Sequence, residues 1–176
     1  MPGKSTLTAE QRQFLATARS ATLATLATDG RPRLVPICFV VGADDAGGRP
    51  RLYSALDEKP KRTADPRSLA RVRDLLARPE ASLLVDHWSE DWSELGWLRL
   101  DGRGDILERE GDPATTANDR EEHAAAVAAL RNKYPQYATH DLETRPIIRL
   151  TIDRAVGWGD LTTNEPAGKP TAQRPG

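Results

Sequence analysis

The sequence predicts a mainly β protein of the α+β class, an antiparallel barrel with a few helices packed against it. Its candidate elements run in the order helix, three strands, helix, two strands, helix, strand. Consecutive strands without a helix between them favour antiparallel pairing over a parallel βαβ sheet. An Asp29-Gly30 turn after the first strand is a strong hairpin signal, and 176 residues suffice for one domain with its own core.

Each element is indicated by a local pattern. β-Branched and aliphatic runs predict the strands, and apolar residues at helical spacing predict the helices. Thr8 and Gln11 have the spacing of a capping box before the first helix, and Pro66 can open the second. Gly102 and Gly104 interrupt the fifth strand and suggest a bulge. The predicted helices cover about residues 9–18, 66–77 and 118–133, and the predicted strands cover residues 21–28, 34–41, 51–55, 81–86, 96–108 and 147–152.

Two helices are predicted to bury one face each. The apolar face of the second helix comprises Leu69, Val72, Leu75 and Leu76, and that of the third comprises Ala124, Val127 and Leu130. Asp74 is predicted to point away from the face on the second helix. Beyond residue 160 the chain is rich in Thr, Pro and Gly, so we expect residues 1–160 to form one domain and residues 161–176 to be disordered.

The composition argues against several functional classes. Lys and Arg total 25 against 26 Asp and Glu, which is unlike the basic excess of a nucleic-acid-binding protein. No apolar run approaches the roughly 20 residues that a membrane-spanning helix needs. Cys38 is the only cysteine and the three histidines lack metal-ligand spacing, so we expect no disulfide and no metal site. These features are typical of a cytoplasmic protein.

The densest charged segment is the basic loop, Lys59-Pro60-Lys61-Arg62-Thr63, between a predicted strand and a predicted helix. Three cations within four positions, together with backbone amides, a hydroxyl and a nearby helix amino terminus, can hold a phosphate. From the residues alone, a solvated loop in which Asp57 and Glu58 balance the cations is the preferred interpretation, and the phosphate site is the alternative.

The Trp segment holds Trp88, Trp92 and Trp97 among acidic residues. Indoles in a polar segment suit stacking on a planar ligand or a subunit interface. The alternative is a cluster that closes one end of the barrel, and spacing does not separate the two. No glycine-rich phosphate motif and no order of nucleophile and base stands out, so no catalytic residue is predicted.

Several segments, taken in order, resemble the pyridoxamine-phosphate-oxidase-like split β-barrel flavoproteins, in particular their branch of coenzyme F420-dependent oxidoreductases. These segments are Ala24-Thr25-Leu26, Asp29-Gly30-Arg31-Pro32, Tyr53-Ser54 leading to the basic loop, Ser82-Leu83-Leu84-Val85-Asp86, Asp101-Gly102-Arg103-Gly104 and Lys133-Tyr134-Pro135-Gln136-Tyr137. The resemblance covers about residues 14–158, most of the chain. It implies a split barrel of the FMN-binding type.

The resemblance also implies a homodimer with a cofactor in the groove between subunits. The strands that line the flavin ring would contribute Leu34, Val35, Pro36, Tyr53, Ser54 and Ala55. The basic loop would bind the phosphate through Lys59, Pro60, Lys61, Arg62 and Thr63. The partner subunit would cover the cofactor with Trp88, Trp92 and Trp97, and Trp158 is a further candidate.

The function implied by the resemblance is oxidoreductase activity, with hydride transfer from reduced coenzyme F420 to a small conjugated organic molecule and no obligatory protein nucleophile. FMN is the alternative cofactor, since both molecules carry a tricyclic ring and a phosphate. Arg31, Arg33 and Arg67 near the groove mouth would favour the anionic tail of F420. A cofactor-binding protein without turnover remains a further alternative, because a fold by itself proves no reaction.

Overall fold

The computed structural model describes residues 7–56, 65–109 and 115–162. Its strands are β1 Ala21–Leu26, β2 Pro32–Ile37, β3 Val40–Val41, β4 Arg51–Ala55, β5 Glu80–His87, β6 Gly96–Leu107 and β7 Ile147–Gly159. Its α-helices are α1 Ala9–Thr17, α2 Ala70–Ala77 and α3 Ala117–Lys133. Within these described ranges, no helix has the length and apolar character needed to span a membrane.

The seven strands form one antiparallel sheet in the order β2-β1-β5-β6-β7-β4-β3. β2 and β3 are therefore the two edges of the sheet, yet only Cys38 and Phe39 separate them along the chain. Both edges can be so close in sequence only if the sheet curls round until they approach each other. The predicted antiparallel split β-barrel with packed helices is confirmed.

Buried side chains form two clusters, one on each side of the barrel wall. The interior cluster includes Leu23, Leu52, Leu83, Leu98 and Ile148 from five strands, with Phe14 of α1 and Val72 of α2. The second cluster includes Val40, Tyr53, Ala55 and Ile147 from the strands, with Val127 and Leu130 of α3. Because β4 contributes alternate side chains to the two clusters, α3 covers its outer side while its inner side faces the barrel interior.

The strand predicted over residues 34–41 is wrong in one respect, because it divides at Cys38 and Phe39 into β2 and β3. The backbone N–H of Phe39 donates to the Tyr134 hydroxyl at 3.0 Å, and this hydroxyl donates to the Phe39 carbonyl at 2.8 Å. A side chain 95 residues away thus satisfies the backbone groups that a neighbouring strand would otherwise bind. The break allows β2 to pair with β1 and β3 to pair with β4.

The bulge predicted in the long strand is confirmed. The register between β6 and β7 shifts between Asp101 and Gly102. A Cβ atom on Gly102 would lie 2.1 Å from the backbone carbonyl oxygen of Thr151, which is far inside van der Waals contact. The bulge therefore depends on a residue without a side chain at this position.

Two of the predicted helix faces are shifted by a residue or two. On α2, Asp74 is buried and Leu76 is exposed, which reverses the prediction. The Asp74 carboxylate can be buried because it accepts hydrogen bonds from side chains of β1 and β2. On α3, His123 is buried and Ala124 is exposed, because the His123 Nε2–H donates to the Arg145 carbonyl at 2.8 Å.

The C-terminal end of the described chain also corrects a boundary. The predicted disordered tail began at residue 161, but Leu161 is buried and belongs to the interior cluster. Burial of its apolar side chain in the barrel is favourable. The prediction missed this because the residues that follow Leu161 are mostly polar. Residues 163–176 of the predicted tail lie outside the described residues.

Lys133, at the end of α3, should make stability depend on pH in the alkaline range. Burial, with repulsion from Arg19, lowers the pKa of its ammonium group to about 8, against about 10.4 in an unfolded chain. Between these values the unfolded chain binds more protons than the folded one, so stability rises with pH. We expect the free energy of unfolding to increase by about 1–2 kcal/mol from pH 8 to pH 9.5.

Urea unfolding at four pH values would measure this increase, with the Lys133→Met variant as the comparison. The contacts that hold Lys133 are a hydrogen bond to the Leu15 carbonyl at 3.1 Å and a cation–π contact 4.3 Å from the Phe39 ring centroid. Both contacts favour the charged form of Lys133. The expected increase in the free energy of unfolding is therefore smaller than the value that corresponds to the full difference between the two pKa values. An equal increase in the variant would assign the effect to other groups.

Candidate cofactor site

β2 has an open edge, because it is the first strand of the sheet and β1 is its neighbour. Ala27 N–H donates to the Arg31 carbonyl at 3.0 Å, so Ala27 and Arg31 form a hydrogen-bonded pair, and every second pair along the β1–β2 ladder is of the same kind. Residues 33, 35 and 37 then direct their backbone groups toward β1, whereas Pro32, Leu34 and Pro36 direct theirs toward the open edge. The two prolines lack N–H groups and occur where the ladder requires none. Leu34 therefore presents both an N–H and a C=O at this edge.

The end of β4 faces the same opening from the other side. Gly42 N–H donates to the Arg51 carbonyl at 2.9 Å, so alternate residues of β4 direct backbone groups toward β3. Ala55 is one of these residues, but the β3–β4 ladder is formed only at Val40 and Val41 among the described residues. Beyond Val40, the position opposite β4 would belong to the chain that precedes β3. That chain is β2, which pairs with β1 instead. The resulting gap between β2 and the end of β4 is the split of the barrel.

The six predicted ring-lining residues differ in what they can offer to this gap. Leu34 is 64% exposed, Pro36 is exposed and Val35 is half-buried, so β2 presents side chains as well as backbone. Tyr53 and Ala55 are buried under α3, and Ser54 is buried on the opposite side of β4. On β4, therefore, the backbone rather than the side chains is available to the gap.

The basic loop follows directly after β4. Lys59, Pro60, Lys61, Arg62 and Thr63 lie outside the described residues, and their phosphate-binding role stays a prediction. The described chain stops at Leu56, one residue after β4, and resumes at Asp65, which accepts a hydrogen bond from the Arg67 N–H at 2.9 Å. The loop is thus attached at one end to the strand that borders the gap.

A buried carboxylate joins α2 and β1 to β2, the strand that borders the gap. The Oδ2 atom of Asp74 on α2 accepts from the Thr25 hydroxyl of β1 at 2.9 Å and from the Arg33 Nε–H of β2 at 2.8 Å. The Asp74 side chain is only 6% exposed and that of Arg33 is 40% exposed. The pair fixes the base of the Arg33 guanidinium beside the open edge. No sequence pattern indicates this contact, because Asp74 is more than 40 residues away from Arg33 and Thr25 in the chain.

The outer sheet face, formed by β2, β1, β5, β6 and β7, combines exposed apolar side chains with polar ones such as Ser82, Arg99 and Asp101. It carries Leu34, Pro36, Leu84, Trp97, Val156 and Trp158, which the strand registers place on one side of the sheet. Leu34, Leu84 and Trp158 are large hydrophobic side chains that remain exposed. Trp97 and Trp158 lie directly opposite each other in the β6–β7 ladder. Exposed apolar residues grouped on one face occur at protein–protein contacts and in ligand-binding grooves.

The Trp segment is exposed at two of its three indoles. Trp88 and Trp92 are 69% and 78% exposed, which disfavours the alternative that they close one end of the barrel. Trp97 lies on β6, three strands from Leu34 on β2 and two strands from β4. Other strands therefore separate Trp97 from both borders of the gap.

A groove of about 450 Å³ lies on the outer sheet face, beside Pro32. Its polar centre is the pair Ser82 and Asp101, in which the hydroxyl donates to the carboxylate at 2.8 Å. Gly102, at the bulge, also lines the groove.

Comparison with known proteins provides a family and a fold. The family model described as "Pyridoxamine 5'-phosphate oxidase" matches residues 7–159. No curated protein sequence matches the chain.

Solved structures agree with this fold at low sequence identity. The conserved hypothetical protein Rv2991 from Mycobacterium tuberculosis is 19% identical with a TM-score of 0.60, and the match covers 87% of this chain and 84% of that one. A FAD-binding protein from Mesorhizobium loti is 22% identical with a TM-score of 0.54 and coverages of 86% and 92%. A protein described as an F420 reductase is 17% identical with a TM-score of 0.54 and coverages of 82% and 94%. A heme-binding protein from Mycobacterium smegmatis is also among the matches.

Proposed function

The chain belongs to the pyridoxamine 5'-phosphate oxidase family, and on that premise we propose that it binds coenzyme F420 at the split of the barrel and is an F420-dependent oxidoreductase. The observation that carries the proposal is the open edge of β2, where Leu34 offers an N–H and a C=O side by side. The pyrimidine edge of a flavin or deazaflavin ring also carries carbonyl oxygens and an N–H, so the two edges are complementary in donors and acceptors.

Each part of the proposed site has a separate task. Leu34 and Pro36 border the ring with backbone and apolar side chains, and the backbone of Ala55 borders it from β4. Tyr53 acts from under α3 by holding β4 in place. The basic loop, through Lys59, Lys61 and Arg62, provides the charge for the phosphate. Arg31 and Arg33 stand next to the open edge, where an anionic tail would leave the groove.

The chemistry that the bound group supplies is hydride transfer from the reduced deazaflavin ring. The residues of this chain bind and orient the ring, and their apolar surfaces exclude water from the face on which a substrate lies. Leu34 and Pro36, which are exposed on the same side of β2, provide such a surface. A small conjugated molecule fits this role as substrate, since hydride transfer needs no protein nucleophile.

We also propose that two chains associate through the outer sheet face, which would bring the Trp segment of one subunit to the gap of the other. Leu34 belongs both to the open edge and to the outer sheet face, so an interface there would border the cofactor. Trp88, Trp92 and Trp97 would then cover the ring from the partner subunit. Exposed indoles of this kind gain most when they stack on a flat partner away from water.

Titration of the purified protein with F420 and with FMN would test the function. We expect saturable binding of F420 and, with reduced F420, hydride transfer to members of a panel of enones and quinones. FMN is the second candidate cofactor, supported by the FAD-binding structural neighbour, and a yellow protein with flavin fluorescence after purification would favour it. Tight F420 binding without turnover over the whole panel would point to a binding protein, and binding of neither cofactor would refute the proposal.

The Leu34→Pro variant tests the open edge directly. The Leu34 N–H faces away from β1, so a proline there removes a donor to the cofactor without removing a hydrogen bond of the β1–β2 ladder. We expect cofactor binding to weaken about tenfold, as for loss of one hydrogen bond, while the fold is retained. Isothermal titration and circular dichroism would measure the two effects. The Val35→Pro variant, which loses a ladder bond to Leu23, should lose stability instead.

A further inference from the structure

A second cavity lies under α3, on the side of β4 that faces away from the barrel interior. This α3 pocket has a volume of about 310 Å³ and is lined by Gly42, Arg51 and Tyr53 from the strands and by Ala125, Ala126 and Ala129 from the helix. Its volume reaches the lower range of ligand-binding cavities. The pocket exists because small residues line both of its walls.

The polar floor of the α3 pocket is ordered by Glu122. Its Oε1 accepts from the Tyr53 hydroxyl at 2.5 Å, and its Oε2 accepts from Arg51 at 2.8 Å and from Arg149 at 3.0 Å. Three donors thus hold one carboxylate, and its charge is matched within the fold. Gly42 is part of the same arrangement, since a Cβ there would lie 2.4 Å from the Tyr53 ring.

One donor at this floor has no acceptor. The Nε–H of Arg51 is buried and makes no hydrogen bond in the part of the chain that the structure describes. The other end of the same guanidinium is fixed by Glu122, so the Nε–H cannot turn toward solvent without breaking that ion pair. A buried donor of this kind requires an acceptor, and the pocket that Arg51 lines is the space in which one can be placed.

We propose that the α3 pocket binds a small uncharged molecule with an apolar body and one carbonyl oxygen, which accepts from the Arg51 Nε–H. Charge decides the class of ligand, because two of the carboxylates that line the pocket are already balanced by cations, Asp44 by Arg12 and Glu122 by Arg51 and Arg149. The remaining carboxylate, Glu121, is exposed to solvent, so neither an anion nor a cation finds an unpaired charge at the buried floor. The alanine side chains of α3 contact the apolar body.

The probe pair 1-indanone and indane tests this site, because the two molecules differ in one carbonyl group. We expect 1-indanone to bind in the millimolar range and to shift the backbone amide resonances of Gly42, Ala125 and Ala129 in NMR spectra. Indane should bind about tenfold more weakly, since it cannot accept from Arg51. Shifts that cluster elsewhere, or no shifts at the solubility limit of the ketone, would overturn the assignment.

Two variants separate the pocket from nonspecific binding. Ala129→Leu fills the cavity and should abolish the shifts, whereas Ala128→Leu, on the exposed side of α3, should leave them unchanged. Arg51→Lys keeps the charge but removes the Nε–H, and it should make the ketone and the hydrocarbon bind alike. Equal binding to the Ala129 variant, or a ketone preference retained in the Arg51 variant, would contradict the proposal. Thermal melting confirms that each variant is folded.

Discussion

Replacing Leu84 with aspartate is expected to leave the protein monomeric and to weaken cofactor binding at the same time. Leu84 lies on β5 near the middle of the outer sheet face, opposite Thr22 on one side and Arg99 on the other, and it is 39% exposed. In a symmetric dimer built on this face, each interface would contain two additional carboxylates, and the cation next to each of them, Arg99, is already paired with Asp101. We expect at least about a hundredfold weaker association from this cost.

Sedimentation over a range of protein concentrations would measure the dimer, and F420 titration of the same samples would measure the cofactor site. Leu76→Asp is the matched control, because Leu76 is also an exposed leucine but lies on α2, away from the outer sheet face. It should change neither quantity. A wild-type protein that is monomeric at all concentrations, or a Leu84 variant that dimerises normally, would remove this face as the interface.

The local features of the fold could be predicted from the sequence because their causes are local. The turn at Gly30, where φ is 84°, and the bulge at Gly102 each depend on a glycine and its immediate neighbours. The capping box at Thr8 is likewise complete within four residues. The break at Phe39 could not be predicted, because Tyr134 causes it from the far end of another element.

The candidate site also contains residues that the sequence analysis indicated and residues that it misplaced. The resemblance to the family indicated Leu34 and Pro36, and the structure supplies a physical reason in the phase of the β1–β2 ladder. Asp74 was assigned to the wrong face because periodicity counts a carboxylate as polar. Its burial depends on Thr25 and Arg33, which the chain brings to it only after folding. Charged residues that become buried by pairing are the ones that sequence periodicity misplaces.

The Lys61→Ala variant is expected to weaken F420 binding about tenfold to a hundredfold. The proposed role of the basic loop is to provide charged donors to the phosphate, and loss of one such contact costs about 1.5–3 kcal/mol. Because the contact is between charges, the difference between wild type and variant should shrink as salt is added. Fluorescence titration at two ionic strengths would measure both effects, and FMN titration would show whether the loop also binds the phosphate of that cofactor.

Arg73→Ala is the matched control for Lys61→Ala, since it removes the same charge from an exposed position on α2. It should leave the affinity for F420 unchanged, whereas Lys61→Arg should restore most of it by keeping a cation in the loop. Unchanged affinity for F420 in the Lys61→Ala variant would contradict the phosphate-binding role. The loop would then be interpreted as a solvated segment in which Asp57 and Glu58 balance the cations. The cofactor would then depend on the open edge of β2 and on the arginines beside it, where Arg33 is already held in place by Asp74.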